Sequence, residues 1–123
     1  MKRKTEKLTT IYVVRHGQSE HNVQELMAGH IDSPLTKQGE REARELANEL
    51  RHVHFDEAFS SDLVRAKRTA EIIALERKLA VKTTEKIIEK SFGSYEGKPY
   101  TEFNKTFNKL IAQYDRLSDG ERF

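Results

Sequence analysis

The chain has 123 residues, of which 36% are hydrophobic and 34% charged, and its formal net charge is +2. This length predicts one domain or part of one, and so small a charge argues against nucleic-acid binding. The chain has no cysteine, which excludes a disulfide framework and agrees with a cytoplasmic location. No apolar run approaches the roughly 18 residues that cross a bilayer, so we expect no membrane partner.

The amino terminus is basic, and no signal-like apolar segment follows it. We therefore expect residues 1–9 to form a solvated tail and residues 10–123 to form one partial domain. The apolar, mostly β-branched run at residues 11–14 predicts that residues 11–15 form a buried first strand of a parallel sheet. Thr36 is a suitable cap for a helix that ends near Arg51.

The later elements continue the alternation of strand and helix. Residues 55–60 predict a short second strand, Asp62 can cap the helix that follows, and residues 80–84 predict a weak third strand. Beyond Pro99 an apolar face at helical spacing predicts a last helix, formed by Tyr100, Phe103, Phe107, Leu110, Ile111, Tyr114 and Leu117. This alternation predicts a layered α/β fold.

Arg15, His16 and Gly17 directly follow the predicted first strand. Functional residues of a parallel sheet lie just beyond the carboxyl ends of its strands. A guanidinium binds phosphate oxygens in a bidentate manner, and glycine allows the backbone to approach an anion closely. An imidazole beside these groups suits nucleophilic attack on phosphate.

Four sequence blocks over residues 11–97 resemble the histidine phosphatase superfamily, which includes the cofactor-dependent phosphoglycerate mutases. The blocks are residues 15–22 (Arg-His-Gly-Gln-Ser-Glu-His-Asn), residues 32–36 (Asp-Ser-Pro-Leu-Thr) with Gly39, residues 60–71 (Ser-Ser-Asp-Leu through Thr-Ala-Glu), and Glu89 with Phe92, Gly93, Glu96 and Gly97. The resemblance implies a three-layer α/β/α fold with a mainly parallel sheet, like that of phosphoglycerate mutase.

The resemblance also implies the roles of single residues. It makes His16 the nucleophile and Glu89 the general acid, while Arg15, Arg65 and Asn22 bind the phosphate. Each residue also has a simpler structural interpretation. His16 can be a histidine at a strand end and Glu89 a surface carboxylate. The arginines can be surface residues, and Asn22 can belong to a turn. A general acid must keep its proton near neutral pH, and the apolar neighbours of Glu89 are compatible with burial.

The substrate pocket is expected to be lined by Gln18, Ser19, Ala28 and Gly29. His21 and His30 lie near these residues in sequence, but their spacing is not diagnostic of a metal site. We expect no metal and no cofactor. The expected partner is a small phosphorylated metabolite.

The second catalytic histidine of the family comes from a later strand, which residues 1–123 do not include. Residues 119–123 resemble the segment that precedes that strand, so we expect a domain truncated before it. In the resembled family this strand lies between the first two strands of the sheet. Its absence leaves three possibilities: rearrangement, exchange of elements between identical chains that form a homo-oligomer, or a longer natural protein.

The expected function is hydrolysis of a phosphomonoester through a phosphohistidine. Residues 29–35 and 90–93 are more similar to the phosphatase branch than to the mutases of the family. Two alternatives stay open. One is a phosphotransferase of the phosphoglycerate mutase type, and the other is a truncated, inactive protein that binds phosphate or a partner.

Overall fold

The computed structural model describes residues 7–75 and 77–117. The α-helices are α1 (Glu20–Val23), α2 (Lys37–Glu49), α3 (Val64–Leu75) and α4 (Tyr100–Tyr114). The strands are β1 (Ala58–Ser60) and β2 (Val81–Thr83). Single turns of 3-10 helix span Glu85–Ile87 and Gly93–Tyr95. Residues 119–123 and most of the predicted amino-terminal tail lie outside the described residues.

Strands β1 and β2 form a parallel pair in which Ala58 faces Val81 and Ser60 faces Thr83. Both lie inside the predicted segments 55–60 and 80–84, and the predicted parallel pairing is confirmed. The chain between the two strands contains α3, which contacts both of them. This is the strand–helix–strand unit that alternating patterns predict.

Residues 11–15 do not form the predicted first strand. None of the backbone hydrogen bonds among residues 7–75 and 77–117 involves them, and Ile11 and Val13 are 78% and 92% exposed. The prediction of a buried strand was wrong for this chain because a strand needs a hydrogen-bonded neighbour. The described residues supply none.

Helix α2 carries the small residues that pack against α3. Thr36 caps it as predicted, since its hydroxyl accepts a hydrogen bond from the Gly39 amide at 3.0 Å. Gly39, Ala43 and Ala47 recur every four residues on its buried face. A Cβ at Gly39 would lie 2.1 Å from the Gln18 carbonyl oxygen, so only glycine lets the segment after Arg15 cross the helix this closely.

Helix α3 begins at Val64, and a distant residue caps it. The Val64 amide donates to the Asp32 carboxylate at 2.7 Å, whereas the expected cap was Asp62. The acceptor therefore comes from a loop 32 residues earlier in the chain, and the bond ties that loop to the helix.

The last predicted helix is confirmed as α4, but much of its apolar face is exposed to solvent. Phe103 packs edge-on against Phe92 and Tyr95 near the start of the helix. Farther along, Phe107 and Leu110 are 47% and 56% exposed. The described residues therefore cover only the first part of the face.

Candidate functional site

An open cavity of about 430 Å³ lies where the segment after residue 14 meets α1, α2 and the start of α4. The residues that line it are Arg15, His16, Gln18, Asn22, Glu42 and Tyr100. Four of these were expected from the sequence. The fold thus brings together groups from three separate parts of the chain.

The half-buried His16 presents an unprotonated nitrogen at this cavity. Its Nδ1 lies 2.7 Å from the Gly17 carbonyl oxygen, which can only accept a hydrogen bond. Nδ1 therefore carries the ring proton, and Nε2 keeps its lone pair. Burial lowers the pKa of His16, and the charges of Arg65 and Arg15 lower it further. The bond to Gly17 and the charge of Glu89 oppose this lowering without reversing it. The lowered pKa favours the neutral form of the ring.

Arg15 and Asn22 offer hydrogen-bond donors to the same cavity. The Arg15 guanidinium forms no hydrogen bond or ion pair with residues 7–75 or 77–117. The Asn22 side-chain oxygen accepts from the Ser19 amide at 2.9 Å, and its Nδ2 donates to the Tyr100 hydroxyl at 3.2 Å. The second Nδ2 proton remains available for a ligand.

Arg65 does not line the cavity and is only 2% exposed. It donates hydrogen bonds to the carbonyl oxygens of Ile31 at 2.9 Å and Gly29 at 2.7 Å. Burial lowers the pKa of the guanidinium, and the charge of Glu89 opposes this. Two of its five N–H groups hold the loop at residues 29–31, and its charge acts on His16.

Glu89 lies near His16 but outside the cavity lining. Its charge raises the pKa of the imidazole, which indicates proximity. The Glu89 side chain is exposed and accepts a hydrogen bond from the Lys90 amide at 2.7 Å. The burial expected from its neighbours is absent, because Ile87 is itself 57% exposed. His30 Nε2 contacts the Glu89 carbonyl oxygen at 2.5 Å and connects this segment to the 29–31 loop.

Three of the expected pocket residues support the site instead of lining it. Ser19 is fully buried, and its hydroxyl accepts from the Asn22 amide as the cap of α1. Gly29 is buried, and Ala28 accepts a backbone hydrogen bond from Ile31. The expected contact between these residues and a substrate stays a prediction. Only Gln18 of the four lines the cavity.

The Glu96 carboxylate fixes the loop that Arg65 holds. One of its oxygens accepts from the His30 amide at 3.0 Å and from the Phe92 amide at 3.1 Å. These bonds lower the pKa of Glu96. A Cβ at Gly29 would lie 2.3 Å from the same oxygen, and the φ of Gly29 is +51°. The positive φ favours glycine there, and a larger residue would also displace the Glu96 carboxylate.

Sequence reasoning missed Glu42 and Tyr100 as cavity residues. Glu42 was one of many charged residues on a predicted surface helix, yet its carboxylate accepts from the Gln18 amide at 2.9 Å. Tyr100 was assigned to the apolar face of α4. Pro99 marked the start of the helix, but no local signal indicated that Tyr100 would face the cavity.

Groups of three or more residues arranged to hold a metal ion do not occur within residues 7–75 and 77–117. Over the same residues, the helices are too short or too polar to cross a membrane.

Comparison with known proteins agrees with this geometry. The sequence profile of the histidine phosphatase superfamily (branch 1) matches residues 11–123. A broad-specificity phosphatase of Saccharomyces cerevisiae is 35% identical over 104 residues, which cover 80% of this chain and 45% of that protein. An uncharacterized phosphatase of Bacillus subtilis, PhoE, is 37% identical over 100 residues, which cover 81% and 52%. The chain thus spans about half the length of these relatives.

Comparison with solved structures leads to the same family. The crystal structure of a phosphoglycerate mutase from Bacillus anthracis superposes with a TM-score of 0.74 at 31% identity, covering 79% of this chain and 44% of the mutase. This confirms the expected phosphoglycerate mutase-like α/β fold for the part of the domain present. Taken with the profile match over residues 11–123, it shows that the chain belongs to the histidine phosphatase superfamily.

Proposed function

We propose that this chain supplies the nucleophile and the phosphate-binding groups of a phosphomonoester hydrolase. The main observation behind this proposal is the hydrogen bonding of the His16 ring. Its Nδ1 proton is held by the Gly17 carbonyl, which leaves the Nε2 lone pair for attack beside the uncommitted Arg15 guanidinium. Nucleophile and phosphate-binding cation share one cavity, which is the arrangement that phosphoryl transfer requires.

The proposed reaction has two displacements. In the first, the Nε2 lone pair of His16 attacks phosphorus and the bond between phosphorus and the ester oxygen breaks. In the second, water attacks the phosphohistidine, the nitrogen–phosphorus bond breaks, and inorganic phosphate leaves with neutral His16. Arg15, Arg65 and Asn22 stabilise the charge on the phosphoryl oxygens. The substrate is a small phosphorylated metabolite.

Glu89 is proposed as the group that protonates the departing ester oxygen. Its charge acts on both His16 and Arg65, which supports a position near the reacting groups. Its exposed position suits an acid that receives its proton from solvent and acts once the negative charge of a bound phosphate is present.

Phosphohistidine formation tests the proposal. A chain that continues through the strand carrying the second histidine is mixed with p-nitrophenyl phosphate in the presence of EDTA, and we expect nitrophenol release with an acid-labile phosphoryl group on His16, located by mass spectrometry. Residues 1–123 alone are expected to react weakly or not at all. A requirement for Mg²⁺, or a phosphoryl group on another residue, would overturn it. Phosphate binding without a phosphohistidine would instead support the alternative of an inactive phosphate-binding protein.

A phosphotransferase of the phosphoglycerate mutase type is the second candidate. The likeness to the Bacillus anthracis mutase supports it, and the first displacement is the same in both reactions. The two differ in the acceptor, which is water in the hydrolase and a substrate hydroxyl in the mutase. The phosphatase-like residues 29–35 and 90–93 favour the hydrolase.

We also propose that two copies of this chain exchange residues 11–14. This segment is apolar and lacks backbone partners among the described residues, and the edge of β1 away from β2 is equally open. The Tyr12 ring meets the Phe55 ring edge-on at 5.2 Å, which places the segment beside the chain entering β1. A two-fold axis would let each copy's segment pair with the other copy's open edges.

Sedimentation velocity tests the exchange. We expect the chain to form a dimer and Val13→Lys to convert it to a monomer, because a charge on an edge strand blocks pairing. Val13 is 92% exposed, so a single copy tolerates the change. Glu45→Lys on the exposed side of α2 is the matched control and should remain dimeric. A monomeric unaltered chain, or a dimer that survives Val13→Lys, would show that residues 11–14 do not pair.

The cytoplasmic location and the division at residue 9 stay predictions.

A further inference from the structure

The cavity contains one hydroxyl for which the proposed reaction has no role. Tyr100 is the first residue of α4 and lies 78 positions from Asn22 in sequence, yet their side chains are hydrogen-bonded at 3.2 Å. Both line the cavity with Arg15 and His16. A buried or half-buried tyrosine hydroxyl normally finds partners for both its oxygen and its proton.

The direction of the bond between the two side chains follows from the rest of the network. The Ser19 amide is a donor, so the atom of Asn22 that faces it at 2.9 Å must be the side-chain oxygen. The other end of the Asn22 amide, Nδ2, therefore faces Tyr100 and donates to its hydroxyl oxygen. The proton of Tyr100 is not used in this bond. The hydroxyl donates no hydrogen bond to another of the described residues.

Tyr100 is also held firmly in place. Its amide donates to the Glu25 carbonyl at 2.9 Å, and the Met27 amide donates to the Lys98 carbonyl at 2.9 Å. The bridge between Leu26 and Pro99 lies between these two bonds. The start of α4 is thereby fixed against the chain that follows α1, so the hydroxyl keeps a defined position relative to Asn22.

We propose that Tyr100 is a further phosphate-binding residue, whose hydroxyl donates its own proton to a phosphoryl oxygen. The inference rests on the proposed function, because it assumes that the cavity takes a phosphate group. Asn22 and Tyr100 then act as a pair of neighbouring neutral donors, and Arg15 supplies the positive charge. Donation from Asn22 to the tyrosine oxygen strengthens the tyrosine as a donor, as in other hydrogen-bond chains.

Titration with inorganic phosphate tests this in the 123-residue chain. We expect Tyr100→Phe to weaken binding about 10-fold or more, because a hydrogen bond to a charged group is lost while the ring stays. Tyr95→Phe is the matched control: it removes a hydroxyl outside the cavity and should leave the affinity unchanged. Equal affinities of Tyr100→Phe and the unaltered chain would overturn the role of Tyr100 alone. Failure of the unaltered chain to bind phosphate would overturn the phosphate site as well.

A double-mutant cycle separates direct binding from an effect through Asn22. If Tyr100 only orients the Asn22 amide, Tyr100→Phe changes nothing once Asn22 has become alanine. Direct donation predicts a further loss of affinity in the Asn22→Ala background. Absence of that loss would make Tyr100 a positioning residue and contradict the proposal.

Discussion

His16→Ala is expected to abolish phosphohistidine formation, since the variant has no nitrogen at the position from which the attack starts. The nucleophile and its partners act as one unit, and removal of the nucleophile in such units costs several orders of magnitude in rate. The measurement is the stoichiometry of acid-labile phosphate after reaction with p-nitrophenyl phosphate.

The control for this variant is His52→Ala, which removes an exposed imidazole from the connector between α2 and β1. It should be labelled as fully as the unaltered chain. The pH dependence provides a second readout. Because burial lowers the pKa of His16 from its usual 6.5, the imidazole stays neutral to below that pH, and the labelling rate should decline only in more acidic solution. Undiminished labelling of His16→Ala would show that another residue is the nucleophile.

Arg65→Ala is expected to lower the free energy of unfolding by about 3 kcal/mol, since one buried and one part-buried carbonyl lose their donors at about 1–3 kcal/mol each. These are the oxygens of Gly29 and Ile31, and the variant also leaves a cavity under the loop. Urea denaturation of the chain measures the change. Affinity for inorganic phosphate should fall as well, because a positive charge near His16 is lost.

Arg68→Ala is the matched control for Arg65→Ala. Arg68 lies three residues later in α3, is 46% exposed and pairs with the surface residue Glu40 at 3.0 Å. Exposed ion pairs stabilise proteins little, so this variant should have a far smaller effect on both unfolding and phosphate affinity. Similar losses in the two variants would show that Arg65 contributes no more than Arg68 to stability or to phosphate affinity.

Local signals were sufficient for much of this fold. Thr36 three residues before Gly39 predicted the start of α2, and two short strand-like segments, residues 55–60 and 80–84, on either side of a helical stripe predicted the strand–helix–strand unit. Such features depend on neighbours in sequence. The place of His16 in the cavity was predicted from its sequence neighbours Arg15 and Gly17, although the strand expected before them does not form.

Features that depend on contacts between residues distant in sequence could not be predicted from local sequence signals. The run at residues 11–14 has the composition of a buried strand, but burial depends on a neighbouring strand that composition does not supply. The capping of Val64 by Asp32 and the bond between Asn22 and Tyr100 join residues 32 and 78 positions apart. Arg65 was expected to bind phosphate from its place in a motif, and nothing local indicated that two carbonyls would hold it.

The attachment of Arg65 to those two carbonyls has a consequence for ligand affinity. A free arginine side chain carries about 2 kcal/mol of rotamer entropy, which it normally loses when it binds an anion. In this chain that entropy is already lost on folding, since the guanidinium is fixed by the oxygens of Gly29 and Ile31. An anion that reaches its remaining N–H groups meets a rigid donor, so the interaction energy is not offset by ordering of the side chain. Arg15, which the described residues leave unrestrained, has no such advantage.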